Sequence, residues 1–222
     1  MTLKDRDEWH SYAILMGDIV GSEAAASPSQ LHDILNKVVT QQNKHHASTI
    51  ASPLTITLGD EFQGLVETLA DGVTLMRTIR LELLKQGVEC RFALGLARLE
   101  TPINRKRAWN MMGPGLADTR AILDEKRSDN LYRFFIPNRP AIQLALEALG
   151  ATLTAIEKGW TKQQLNDITQ LLGGLSVDEV ARHRQVSAHS VYKVRSSGNF
   201  DLYARQWNAI VELLKSIDKG LE

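Results

Sequence analysis

Tyr12-Ala13-Ile14-Leu15-Met16-Gly17-Asp18-Ile19-Val20-Gly21-Ser22 begins as an unbroken apolar run and ends on an aspartate set among glycine and serine. A short run of this kind reads as a buried central strand, and the Gly-Asp that closes it puts Asp18 at the strand's C-terminal edge. The pattern recurs once: Leu54 to Leu58 leads into Gly59-Asp60-Glu61-Phe62-Gln63-Gly64, a hairpin with Asp60 at its tip. A carboxylate leaving a buried strand beside glycine and serine sits where backbone N–H groups can hold a phosphate. Two such carboxylates on neighbouring strands can hold a divalent cation between them. The pair points to nucleoside triphosphate recognition, with Asp18, Asp60 and Glu61 as candidate ligands of Mg²⁺ or Mn²⁺. The N–H groups of Ile19, Val20, Gly21 and Ser22 are candidate phosphate donors. The competing reading makes both aspartates plain turn formers, because Gly-Asp is common at strand ends.

Working outward, Ser27-Pro28-Ser29-Gln30 combines an N-cap serine, a proline at the first helical position and a glutamine three residues after the cap. Leu31, Ile34, Leu35, Val38 and Val39 follow at helical spacing, so a helix runs to about His46. A second helix spans about Leu69 to Lys85, and Val88, Cys90, Phe92, Leu94 and Leu96 then alternate as a strand. Gly113-Pro114-Gly115 opens a helix carrying Arg120, which can reach a phosphate or pair with an acid. Leu131 to Ile136 is one more strand, and the order is β-α-β-β-α-β-α-β. Arg105, Lys106 and Arg107 form a charged loop that either meets phosphate or is simply solvated. His45 and His46 are adjacent on a helix, point about 100 degrees apart and cannot readily chelate one ion.

The chain has 222 residues and 43 % hydrophobic content, with 26 basic and 26 acidic side chains that cancel. No whole-chain basic excess argues for nucleic acid, so such a site must be local. One cysteine, Cys90, excludes an internal disulfide framework and reads as a small core residue. No apolar stretch approaches the roughly 20 residues that span a bilayer. Met1 to Glu8 is too acidic for a signal peptide, and the expectation is a cytoplasmic protein without membrane contact.

After Pro140 the periodicity is helical throughout. Ser176 caps a helix with Glu179 completing a capping box, and Ser187 caps the next. Val177, Val180, Ala181, Val186, Val191 and Val194 are spaced to hold the two across a tight turn, as in a helix-turn-helix. Arg184, Ser187, His189, Ser190, Tyr192, Lys193 and Arg195 are then candidates to contact DNA, the partner expected for residues 175–205. From Val180 to Arg205 the cations Arg182, Arg184, Lys193, Arg195 and Arg205 face only Asp201. Gln185 stands where such turns usually carry glycine. The alternative is a helical oligomerisation or cap domain. Phe200 to Leu214 forms an apolar-striped last helix that completes a core or makes a dimer seam.

The order of elements, Asp18 within Asp-Ile-Val-Gly-Ser and Asp60 within Leu-Gly-Asp-Glu together resemble the core of class III nucleotidyl cyclases over roughly residues 10–136. In that family the two aspartates hold two metal ions on the triphosphate, and a late-helix arginine, matched here by Arg120, takes part in catalysis. The family's base-selecting lysine has no counterpart among Thr55 to Leu58, and Leu116 stands where its late-helix asparagine would be. Leu58-Gly59-Asp60-Glu61-Phe62 is also similar to the Gly-Gly-Asp-Glu-Phe signature of diguanylate cyclases. Most of the chain resembles the SatD family, which combines a cyclase-like region with a DNA-binding-like module.

The resemblance implies an α+β fold. A ferredoxin-like, palm-type antiparallel sheet with helices on one face would occupy 1–138, and a small all-α, winged helix-turn-helix domain 141–222. It implies a homodimeric DNA-binding regulator whose N-terminal domain binds a nucleotide. The alternatives are a Mg²⁺- or Mn²⁺-dependent nucleotidyl cyclase or transferase, and a non-catalytic dimeric scaffold.

Overall fold

A computed structural model of the chain describes residues 11–24, 26–125 and 128–220. The acidic stretch Met1 to Glu8 lies outside the described residues. The strands are β1 (Ser11–Ile19), β2 (Ile50–Ile56), β3 (Glu61–Val66), β4 (Cys90–Arg98) and β5 (Tyr132–Phe135). The helices are α1 (Pro28–His45), α2 (Leu69–Lys85), α3 (Leu116–Leu123), α4 (Pro140–Lys158), α5 (Lys162–Leu172), α6 (Val177–Arg184), α7 (Ala188–Ser197) and α8 (Phe200–Asp218). The βαββαβαβ order read from the sequence is present. Ser27 caps α1 by accepting from Gln30 N, with Pro28 in the first turn, and Thr68 caps α2.

The five strands form one sheet in the order β2-β3-β1-β4-β5. Two expectations need correction. The sheet is mixed rather than antiparallel, because β5 runs parallel to β4 after the crossover through α3. Nor do the helices keep to one face. Alternation along β1 sends Ala13, Leu15 and Ile19 into a core under α1, α2, α4 and α8. Tyr12, Ile14 and Met16 enter a second core under α3 and the loop before it. Gly95 allows α3 to lie close: a Cβ there would stand 1.9 Å from Thr119 Oγ1. Apolar residues on both sides explain the unbroken run Tyr12 to Met16.

Past Pro140 the chain is helical, and no strand occurs among the described residues beyond it. The expected wing is therefore not shown. The apolar stripe of α8, Tyr203, Trp207, Ile210, Leu214 and Ile217, belongs to the core of the sheet. Aromatic rings run Phe62–Phe92–Tyr132–Trp207 at centroid separations of 6.2, 6.3 and 5.3 Å. At the centre Glu157 of α4 accepts from Arg80 Nε of α2 at 2.8 Å, Tyr132 Oη of β5 at 2.5 Å and Tyr203 Oη of α8 at 2.7 Å. Asp218 receives the N–H groups of Leu69 and Ala70 at the start of α2, at 2.9 and 3.0 Å. Helices α6 and α7 instead form a small cluster of their own with α5, built on Val180, Ala181 and Val191.

Both edges of the sheet are occupied by side chains. Asn43 of α1 bonds both the N–H and the C=O of Leu54 in β2, at 2.8 and 2.9 Å. On the outer side of β5, the N–H of Phe134 goes to Glu147 at 2.8 Å and that of Ile136 to Gln143 at 3.0 Å, both on α4. Edge backbone groups held in this way cannot template another strand.

Candidate functional site at the β1 and hairpin end

Register decides which side chains meet. Asp18 lies directly opposite Glu61 on β3 and Arg91 on β4, so the three share the α3 face in one row. Arg91 Nη1 donates to Asp18 Oδ2 at 3.1 Å, and Asp18 is 5 % exposed. Arg120, projecting from α3, donates to Glu61 Oε2 and, at 3.1 Å, to Gln63 Oε1. Asp60 closes the turn between β2 and β3. Its backbone oxygen accepts from Ile19 N at 3.1 Å and its Oδ2 from Ser22 Oγ at 2.5 Å. The two acidic motifs, 42 positions apart, thus meet through four hydrogen-bonding atoms.

The loop after β1 divides its donors. Ile19 and Val20 give their N–H groups to Asp60 O and Glu89 O, whereas Gly21 and Ser22 have no backbone acceptor among the described residues. Gly21 holds φ +72°, which turns the chain away from the strand. Of the four N–H groups expected to meet phosphate, those of Ile19 and Val20 are therefore already spent on the protein's own backbone. The carboxylates of Asp18, Asp60 and Glu61 are the hard oxygen donors that Mg²⁺ and Mn²⁺ take. Mg²⁺ commonly uses one or two carboxylates and completes its shell with water and phosphate, so the donor set fits. No group of three His, Cys, Asp or Glu is gathered for a metal among the described residues.

The remaining candidates scatter. Arg105, Lys106 and Arg107 are exposed, their loop tied down by Asn104 Oδ1, which accepts from the N–H groups of Lys106 and Arg107. Cys90 is fully buried, and burial pushes its thiol far up, which leaves it inert. Burial, and then His45 beside it, hold His46 below the usual histidine value. In the helical segment Ser176 with Glu179, and Ser187, cap α6 and α7 as read, and Gln185 takes the left-handed conformation at φ 55°. Val186, expected in the turn's core, is exposed. The seven residues proposed for DNA do not form one outward set. Arg184 turns inward to the buried Asp167 at 2.5 Å and Arg195 pairs with Asp201 at 2.5 Å. Ser187 caps α7 and lies 3.1 Å from Ser190 Oγ. His189, Tyr192 and Lys193 face solvent.

Residues 12–214 match the model of the SatD family. The chain belongs to the SatD family. No curated protein matches it. Among solved structures, this SatD-family chain is similar to the dimeric guanylyl cyclase domain of the RhoGC fusion protein from Blastocladiella emersonii. The identity is 14 % and the TM-score 0.40, over 53 % of this chain and 74 % of that one. It is similar to the guanylate cyclase domain of RhGC from Catenaria anguillulae in complex with GTP, at 16 % identity and TM-score 0.39, over 53 % and 74 % of the two chains. A bacterial light-regulated adenylyl cyclase aligns at 12 % identity and TM-score 0.41, over 57 % and 76 %.

Two residues of the candidate site escaped the sequence reading. Arg91 occupies a polar position of an alternating strand and faces Asp18, a signal available once β4 is laid antiparallel to β1 in register. Gln63 likewise sits on β3 two residues after Glu61, where Arg120 binds both.

Proposed function

We propose that this SatD-family protein binds a nucleoside triphosphate at the β1 and hairpin end of its sheet, with nucleotidyl transfer or cyclisation as the chemistry served. The observation that carries the reading is the union of the two acidic motifs, Ser22 and Ile19 on Asp60, beside two arginines held on acids of the same row. Arg91 and Arg120 are preorganised to exchange a carboxylate for a phosphate oxygen, a charge-assisted bond of similar strength. A cleft of about 160 Å³ under the pre-α3 loop adjoins them, lined by Met16, Gln63, Trp109, Met111 and Arg120. It has room for a base. Arg120 belongs to both cleft and acidic row, which would set the base in the cleft and the phosphates toward Asp18. Asp18 and Asp60 would hold Mg²⁺ or Mn²⁺, which would neutralise phosphate charge and activate the leaving group. A second copy of the chain would cover the exposed Leu58, Trp109 and Met112.

Thermal denaturation of wild type and Asp18→Asn/Asp60→Asn against ATP, GTP and their deoxy forms, with Mg²⁺ or Mn²⁺, tests the reading. Ligand at about 100 times Kd stabilises by about 2.7 kcal/mol, and a chain of this size gains roughly 2–4 °C per kcal/mol. A metal-dependent rise absent from the double variant is expected. No rise with any nucleotide sinks the assignment, and release of pyrophosphate, lost in Asp60→Asn, separates catalysis from binding.

The regulator reading, with DNA held by residues 175–205, draws support from the outward trio His189, Tyr192 and Lys193 on α7. In this reading the nucleotide falls to residues before 138 and DNA to α6 and α7, while α4 and α8 pack into the core of the sheet. Unchanged retention of duplex DNA by Lys193→Ala would dispose of it.

A further inference from the structure

A second cleft, of about 540 Å³, lies on the other side of the molecule from α3, where the end of α2 faces the turn between α4 and α5. Its walls are Leu84 and Leu165, both only half-buried, and the ring of Trp160. That ring is fixed in place: its Nε1–H donates to Gly198 O at 2.8 Å, and it packs on Tyr203 at 4.8 Å between centroids. Glu157 forms the floor. It is buried, and its charge is answered by Arg80 at 2.8 Å. Its side chain is closed off from the cleft, its oxygens taken by Arg80, Tyr132 and Tyr203, so it fixes the base of the cleft without offering an acceptor there. At the mouth stand Lys85 and Lys162. Lys85 pairs with Glu82 on its own helix, but Lys162, in the first turn of α5, has no acidic partner among the described residues.

An aromatic wall held rigid, two leucines left partly in water and an unanswered cation at the rim are the attributes of a small-molecule pocket. From this combination we propose that the α2/α4–α5 cleft binds a planar aromatic anion, a ring bearing a carboxylate or comparable acid group. The ring lies against Trp160 between the leucines, and the acid group meets Lys162 with Lys85. The site stands apart from the acidic row and does not depend on nucleotide binding there.

The probe is naphthalene-2-carboxylate, with neutral naphthalene-2-carboxamide as its isostere, titrated into the full chain labelled with ¹⁵N. The chain has four tryptophans, and Trp160→Phe identifies the Trp160 indole signal. A saturable shift of that signal is expected, at least about tenfold weaker with the amide and in Lys85→Gln/Lys162→Gln. The unmoved Trp207 signal shows that the double variant keeps its fold. Binding must survive in Asp60→Asn. The proposal is overturned by a shift that does not saturate, by equal affinity for acid and amide, by equal affinity in the lysine variant, or by loss in Asp60→Asn, which would move the probe to the sheet end.

Discussion

Replacing Glu157 by glutamine tests how the helices after β5 are fastened to the sheet. The buried side chain of Glu157 accepts three hydrogen bonds, from Arg80 on α2, Tyr132 on β5 and Tyr203 on α8. Arg80 is 0 % exposed, and among the described residues its guanidinium has, apart from Glu157, only Cys90 O at 3.3 Å and Glu89 at 3.9 Å. Glutamine keeps the shape, removes the charge and brings an NH₂ group against donors, so a cation remains buried with its close counter-ion gone. Breaking such a pair from one side costs about 3–5 kcal/mol. For a chain of this length that lowers Tm by roughly 6–20 °C, at about 2–4 °C per kcal/mol. Urea unfolding followed by tryptophan fluorescence and by far-ultraviolet circular dichroism supplies the measurement. The cycle is closed with Arg80→Met and with Arg80→Met/Glu157→Gln. Because the double variant buries no charge, it should be more stable than Glu157→Gln alone, a strongly non-additive result. Additive costs, or a loss under about 1 kcal/mol for Glu157→Gln, would refute the idea that this ion pair locks α2, α4 and α8 together.

Other outcomes follow from the same geometry. Burial first, and then the Glu157 carboxylate, hold the phenols of Tyr132 and Tyr203 well above the ordinary value. The unfolded chain therefore loses these protons first as pH rises past about 10, and stability falls by about 1.4 kcal/mol per pH unit for each tyrosine. Tyr203→Phe should remove one such increment from the slope of unfolding free energy against pH; an unchanged slope speaks against the assignment. Asp218→Ala strips the carboxylate from two N–H groups at the start of α2 and should cost about 1–2 kcal/mol by urea titration. Gln185→Gly relieves a left-handed residue at φ 55° and should gain up to about 1 kcal/mol, whereas a loss would mean that the glutamine side chain matters.

The N-terminal pattern was legible because its signals are local. Ser27-Pro28 and Thr68 start their helices where capping chemistry puts them, and β4 alternates visibly. The direction of β5 was not legible, since four residues, Tyr132 to Phe135, carry no mark of parallel or antiparallel pairing and only the crossover through α3 decides it. Placing α3 on the second face follows from Gly95 against Thr119, a contact between residues that propensity treats separately. At the site the acids follow from Gly-Asp turns and Arg120 from the helix behind Gly113-Pro114-Gly115, but Arg91 and the pairing of cation with acid do not. Arg91 and Arg120 reach Asp18 and Glu61 across strands and from another face, through register rather than spacing. The same blindness inflated the basic patch: Arg184 counts as exposed charge until the buried Asp167 is seen beneath it. Arg80 and Glu157, 77 positions apart, gave no signal, because a lone charge on an apolar helix looks like an exposed one until its partner is known.

The side chains on the outer edge of β5 also impose an order of events on a chain still being synthesised. Phe134 and Ile136 leave the ribosome before Gln143 and Glu147, whose carbonyl and carboxyl oxygens they require. At typical elongation rates the gap is on the order of a second. Throughout it the nascent sheet presents bare backbone donors on a hydrophobic strand, the surface that neighbouring nascent chains on one message would share. A pause that holds α4 inside the ribosome after β5 has emerged lengthens that exposure, and one that comes after α4 has emerged does not, so shifting synonymous slow codons from the first window to the second should raise soluble yield.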